Sequence, residues 1–216
     1  HYVAFPLLVP VMGWLLHQRG NIVLHGSALC WRGKAIGFLG DKMAGKSTTA
    51  AKFLSDGGSL LTDDLLVFEC SDPVQPKVQP AFAQLKLSDE AADAIALVES
   101  EALPLVMTGF PKRQHRLGEL AVAPTRFDAL FVLERTSGPC SIAWMTQSQA
   151  LTNLLRFSYN VRFANAPVGL QHRKRHFEQC AAMARAIPLG VLFVPDRLDR
   201  LDEVTEFVGD LLGAEP

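Results

Sequence analysis

Apolar and polar positions along this chain fall into blocks of strand length and helix length. Asn21 to Trp31 (NIVLHGSALCW) alternates loosely and is rich in strand formers, and Arg32-Gly33 turns it into a second apolar run, Ala35 to Leu39. Thr48 to Leu54 (TTAAKFL) is free of Gly and Pro and predicts a helix, stopped by Ser55-Asp56-Gly57-Gly58. Ser59 to Phe68 is an apolar strand run interrupted by two adjacent carboxylates, Asp63 and Asp64. Ser71 to Pro80, with three prolines, reads as an irregular connector, and Ser88-Asp89-Glu90 caps a helix over Ala91 to Val98. Phe127 to Leu133 and Cys140 to Met145 read as strands around a Ser137-Gly138-Pro139 turn. Ser148 to Tyr159 carries Leu151, Leu154, Leu155 and Tyr159 at helical spacing. Gly169 to Ile187 predicts another helix, Leu189 to Val194 a last strand, and Leu201 to Leu212 a last amphipathic helix. Strands alternating with helices predict an α/β fold.

No repeat, low-complexity tract or linker divides the 216 residues, so one domain over 1–216 is expected. Its core lies at 21–68, an N-terminal helix at about 5–18, and C-terminal strands and helices at 127–212. The N-terminal apolar stretch, Phe5 to Leu16, holds Pro6, Pro10 and Gly13 and falls well short of the roughly 20 residues a membrane span needs. With no basic leader or small-residue cleavage site, it reads as a packed helix ending by Gln18 and Gly20 rather than a signal peptide or a membrane segment.

Charge changes the picture little. With 21 Lys and Arg against 22 Asp and Glu, the formal net charge of −1 offers no global field to recruit nucleic acid. The four cysteines, Cys30, Cys70, Cys140 and Cys180, are scattered with no C-x-x-C pair. That argues against a zinc site or disulfide scaffold, predicts buried small side chains, and fits a cytoplasmic protein in a reducing compartment. Two basic clusters stand out. Lys112, Arg113 and their neighbours to Arg116 read as a solvated loop or as cations for a triphosphate. His172 to His176 places two imidazoles four residues apart, a metal-ligand spacing, but the cations between them favour a surface face.

The chemistry concentrates between the first two strands and the carboxylate pair. Gly40-Asp41-Lys42-Met43-Ala44-Gly45-Lys46-Ser47 reads G-x-x-x-x-G-K-S, with an apolar strand before it and a helix opening at Thr48 behind it. Glycines let successive backbone N–H groups turn inward onto phosphate oxygens, and the helix adds the positive end of its dipole. In such a loop Lys46 would reach the β- and γ-phosphates of a nucleoside triphosphate and the Ser47 hydroxyl would hold Mg²⁺. Asp63 and Asp64 follow on the very next strand after the helix. Parallel neighbouring strands would bring their C-terminal ends together and set the pair across a crevice from the loop. Two carboxylates in a buried run cost several kcal/mol unless a metal or a substrate hydroxyl compensates them; a plain Asp-Asp turn is the bland alternative. His25 in the first strand is, taken alone, an ordinary hydrogen-bonded histidine.

Leu24-His25-Gly26, the loop Gly40 to Ser47, and Thr62-Asp63-Asp64 together resemble the HPr kinase/phosphorylase family, which shares a nucleotide-binding core with phosphoenolpyruvate carboxykinase. The match spans roughly residues 21 to 68, about a quarter of the chain. It implies a phosphate-loop sheet core with flanking helices, ATP and Mg²⁺ as cofactors, and in-line phosphoryl transfer. It implies Lys46 and Ser47 as phosphate and metal ligands, Asp63 as the base, Asp64 as the carboxylate assisting the metal, and His25 tuning the pair. The family's Gly-rich segment is missing after the core, where Pro73 to Gln84 is proline-rich instead. The resemblance thus implies the kinase direction without implying HPr as substrate or the reverse reaction. Shortened relatives include kinases of lasso-peptide precursors, which points to a serine on a peptide or small protein as acceptor, and the family forms homo-oligomers. A small-molecule kinase and a non-catalytic nucleotide sensor stay open at this level.

Overall fold

The computed structural model describes residues 10–70, 76–81, 84–95, 100–103, 112–117, 125–159 and 169–213. It is a mixed α/β fold. The site is built on a six-stranded sheet. In spatial order this contains β12 (Ser141–Trp144), β13 (Leu189–Pro195), β11 (Ala129–Thr136), β3 (Lys34–Leu39), β2 (Gly26–Trp31) and β4 (Ser59–Thr62). The pairs β13–β11 and β11–β3 are parallel and the other three antiparallel.

The central strands are apolar on both faces, as a sheet covered on both sides requires. On one face Ile36, Phe38, Phe131, Leu133, Leu192 and Val194 pack against Ala50, Ala51 and Phe53 of α2 (Lys46–Ser55) and Val204 and Val208 of α6 (Asp202–Gly213). On the other, Ala35, Leu39, Leu130, Val132 and Leu189 meet Ala150 and Leu154 of α4 (Gln147–Phe157) and Cys180 and Met183 of α5 (Leu170–Ala186). That second layer also takes in a four-stranded antiparallel sheet of β1 (Ile22–Leu24), β5 (Leu66–Glu69), β6 (Lys77–Val78) and β10 (Thr125–Arg126). A three-stranded sheet of β7 (Gln84–Leu87), β9 (Arg113–Leu117) and β8 (Ser100–Ala102) completes the strands.

The β2–β3 hairpin forms as its pattern predicts, with Arg32 (φ 47°) and Gly33 (φ 75°) both left-handed in the two-residue turn. The preceding run does not form one strand. It breaks at His25, so that β1 pairs with β5 in the small sheet while β2 enters the large one. Gly26 permits the crossing, since a Cβ there would lie 2.7 Å from the Phe38 carbonyl oxygen.

Strand order also departs from expectation. β3 and β4 run in the same direction but are not neighbours, because β2 lies antiparallel between them. Their C-terminal ends still share one edge, with the start of β2 wedged between.

The remaining elements follow the pattern closely. The Ser88 hydroxyl accepts from the Ala91 N–H at 3.2 Å, capping α3 (Asp89–Ile95); residues 96–99 of the expected helix lie outside the described residues. The segment read as a connector contains β6, and its residues 71–75 lie outside the described set. The N-terminal helix α1 covers Met12–Gln18 and ends before Gly20 (φ 92°), while residues 5–9 lie outside the described set. Among the described residues no helix is long and apolar enough to cross a membrane.

Candidate functional site

The phosphate loop leaves β3 at Gly40 and enters α2 at Lys46. Gly45 is the residue before the helix, with φ 96°, and the Thr49 N–H donates to its carbonyl at 2.8 Å. The left-handed backbone favours glycine here, and a Cβ would lie 2.5 Å from an Arg135 guanidinium nitrogen on β11, so that side chain would have to shift. That guanidinium is held by the Pro195 carbonyl at 2.9 Å, at the end of β13. Lys46 is buried, and its ammonium donates to the carbonyls of Gly40 at 2.8 Å and Asp41 at 3.0 Å, folding the side chain back over the loop. Asp41, Lys42 and Met43 are exposed at the tip, while Ala44, Ser47 and Thr48 are half-buried.

The carboxylate pair sits in the turn between β4 and β5, with Asp64 left-handed at φ 71°. Asp63 points into the protein. It accepts from Ser27 at 2.5 Å, from Ser47 at 3.2 Å to each oxygen, and from the backbone N–H of Lys86 at 3.3 Å. Burial, then the neighbouring Asp64 charge, push its carboxyl up to about 6 despite those donors. Asp64 behaves oppositely. Burial would raise it, but the Lys86 ammonium bonded to it, with His25 and Lys46 beyond, holds it below the usual carboxylate range. Ser47 therefore meets Asp63, where Asp64 was the expected partner at the metal. The reason is geometric: the chain turns left-handed at Asp64, sending that side chain toward β7.

His25, at the joint of β1 and β2, lies beside the pair as expected, its Nδ1 3.1 Å from the Asp64 carbonyl. Its backbone N–H donates to Phe157 at the end of α4 at 3.0 Å, fastening that helix to the loop edge. There Arg156 reaches across to Asp41 at 2.6 Å, with its guanidinium 5.0 Å from the Phe157 ring. Two cavities flank this contact. One of about 380 Å³ runs along Met43, Ala44 and the end of β11; the other, of about 220 Å³, is lined by His25, Gly40 and Ser158.

The basic clusters do not join this site. Arg113 is ion-paired with Asp89 at 2.8 Å as part of β9, a strand where a loop was expected, and neither it nor Lys112 lines either cavity. His172 is exposed, but His176 leaves the surface face: it is buried, with Nε2 3.0 Å from the Ser158 hydroxyl and its ring edge-on to His17 at 4.9 Å. Of the cysteines, all free, only Cys180 is buried; the other three are half-buried.

Sequence reasoning missed Ser27, Lys86, Arg135 and Arg156. Lys86 sits in Gln84-Leu85-Lys86-Leu87, whose alternation gives no sign that its polar face meets a carboxylate from a distant turn. Among the described residues no cluster of three or more His, Cys, Asp or Glu side chains could hold a metal alone. A hydroxyl beside a buried, partly compensated carboxylate does fit Mg²⁺, which takes hard oxygen donors and shares its shell with phosphates and water.

No family model and no curated protein matches the chain. Among solved structures it is similar to the HPr(Ser) kinase/phosphatase from Coxiella burnetii, at 10% identity and a TM-score of 0.36, with 89% of this chain and 99% of that chain covered.

Proposed function

We propose that this protein is an ATP- and Mg²⁺-dependent kinase that transfers the γ-phosphoryl group to a serine hydroxyl of a peptide or small protein. The observation that carries the reading is the placement of a buried carboxylate with a raised pKa, Asp63, against the hydroxyl of the phosphate-loop Ser47. Such a group is matched to proton abstraction near neutral pH. The serine oxygen forms a bond to the γ-phosphorus as the bond to the β-phosphate oxygen breaks, ADP leaves, and the serine proton passes to Asp63. Lys46 and the loop amides would hold the phosphates, and the Ser47 hydroxyl would be a ligand of the cation, which would supply positive charge to offset that of the phosphates. Asp64, kept ionised by Lys86, and His25 fix the geometry around the base.

The test is transfer from labelled ATP to serine-bearing peptides, alongside ATP binding. Asp63→Asn is expected to slow transfer by roughly 10²–10⁴-fold with ATP still bound, and Lys46→Ala to weaken binding itself. Transfer at close to the wild-type rate in Asp63→Asn, or unchanged ATP affinity in Lys46→Ala, overturns the assignment. Transfer to metabolites alone would replace the peptide acceptor with a small molecule.

A further inference from the structure

We propose that Arg156 is a second cation of the phosphate cradle: it is ion-paired with Asp41, and it moves onto the terminal phosphate when ATP binds. The inference rests on the kinase reading above and adds to it a residue more than a hundred positions from the loop, in a helix that carries no nucleotide motif.

Three observations place it. Arg156 stands at the junction of the two cavities: with Asp41, Lys42 and Phe157 it lines both, and among the described residues no other element does this from opposite the loop. Its helix is fixed there, because the Phe157 carbonyl takes the His25 N–H and Ser158 bridges Leu24, so the guanidinium can swing while its anchor stays. Finally, its partner is weak. The Arg156 and Asp41 side chains are 54% and 71% exposed, and an exposed ion pair shifts an equilibrium by less than about fivefold. A guanidinium on a phosphate makes charge-assisted, often bidentate bonds, each commonly worth about tenfold or more. A triphosphate in the loop therefore wins Arg156 from Asp41.

The location assigns the two cavities. The side reached by His25 lies beside the Asp63-Asp64 turn, so the acceptor serine comes from there and the nucleoside occupies the larger space along β11. Arg156 at their boundary meets the phosphoryl group in transit, where it balances charge as the serine oxygen bonds to phosphorus and the β-phosphate oxygen departs; it takes no proton.

The experiment is titration of the wild-type, Arg156→Ala, Arg156→Lys and Asp41→Asn proteins with ATP and with ADP, each with Mg²⁺, checked for folding by thermal melts. Arg156→Ala is expected to weaken ATP about tenfold and ADP less than about twofold, because only ATP carries the terminal phosphate. Arg156→Lys should recover part of the loss, and Asp41→Asn should tighten ATP about threefold by freeing the guanidinium. Equal weakening of ATP and ADP, or no weakening, overturns the assignment. Lys46→Ala run in parallel separates the two claims: if it too leaves affinity unchanged, the loop reading fails, and if it alone weakens binding, only Arg156 is refuted.

Discussion

The Ser47 hydroxyl lies 3.2 Å from both carboxylate oxygens of Asp63, joining the first turn of the phosphate-loop helix to the end of β4. Because β2 separates β3 from β4, its Ser27 hydroxyl also reaches Asp63. The carboxylate is buried among donors beside a second carboxylate, and the Lys86 charge only partly offsets that burial. That is an expensive resting state, and its cost is readable.

Asp63 carries a native pKa raised from 3.8 to about 6, so the folded state binds its proton more tightly than the unfolded chain. The stabilisation is fully present below pH 3.8 and is lost as pH rises through about 6, where the buried group must ionise. A shift of that size corresponds to about 3 kcal/mol. Asp63→Asn, which never ionises, should therefore melt higher than wild type at pH 8 and show little advantage at pH 4. An equal difference at both pH values, or a destabilised variant at pH 8, would sink the account.

The same group sets the rate. Peptide phosphorylation should climb with pH along an acid limb near 6 in kcat/KM, which reports the free enzyme. Asp63→Asn should lower kcat by roughly 10²–10⁴-fold and leave ATP binding within a small factor. A profile flat from pH 5 to 8 in the wild type would remove Asp63 as the base.

Lys86 was invisible until β7 was placed. Lys86→Met leaves Asp64 half-buried without its cation and should cost on the order of 2 kcal/mol in urea melts, below the figure for a fully buried pair because both side chains retain some exposure. Its charge also lowers Asp63, so the acid limb should move to higher pH in this variant. An unmoved limb would mean that Lys86 acts on Asp64 alone.

What was legible in the chain was what local pattern controls. The loop, the hairpin before it, the helices of the C-terminal half and the acid pair are each set by spacing within a few turns of chain. What was not legible depends on pairings between distant segments. No local signal says that β2 inserts between β3 and β4, so Ser27, in an apolar run, looks like filler. Lys86 and Arg156 reach the site only because β7 and the end of α4 are brought there by packing. His176 was misplaced for a related reason: four exposed neighbours, His172 to Arg175, make the stretch look like a solvated face. Only docking against His17 and Ser158 shows that the last of the five turns inward.

That inward turn supplies a pH dependence of the opposite sign to Asp63. Burial, then the neighbouring His17, lower the His176 imidazole from 6.5 to about 4, and its Nδ1 has no partner among the described residues. The neutral ring contributes stability fully present above pH 6.5 and lost as pH falls toward 4, because the unfolded chain protonates first. A shift of this size is worth about 3 kcal/mol between those limits. The group facing it from α1 is His17, itself lowered by burial and by His172 and Arg175, so both rings resist protonation together. His176→Leu should flatten the melting temperature between pH 6.5 and 4.5, while His172→Leu, which removes only one of the charges acting on His17, should flatten it less. If the two substitutions flatten the curve equally, the buried pair is not what acid unfolds.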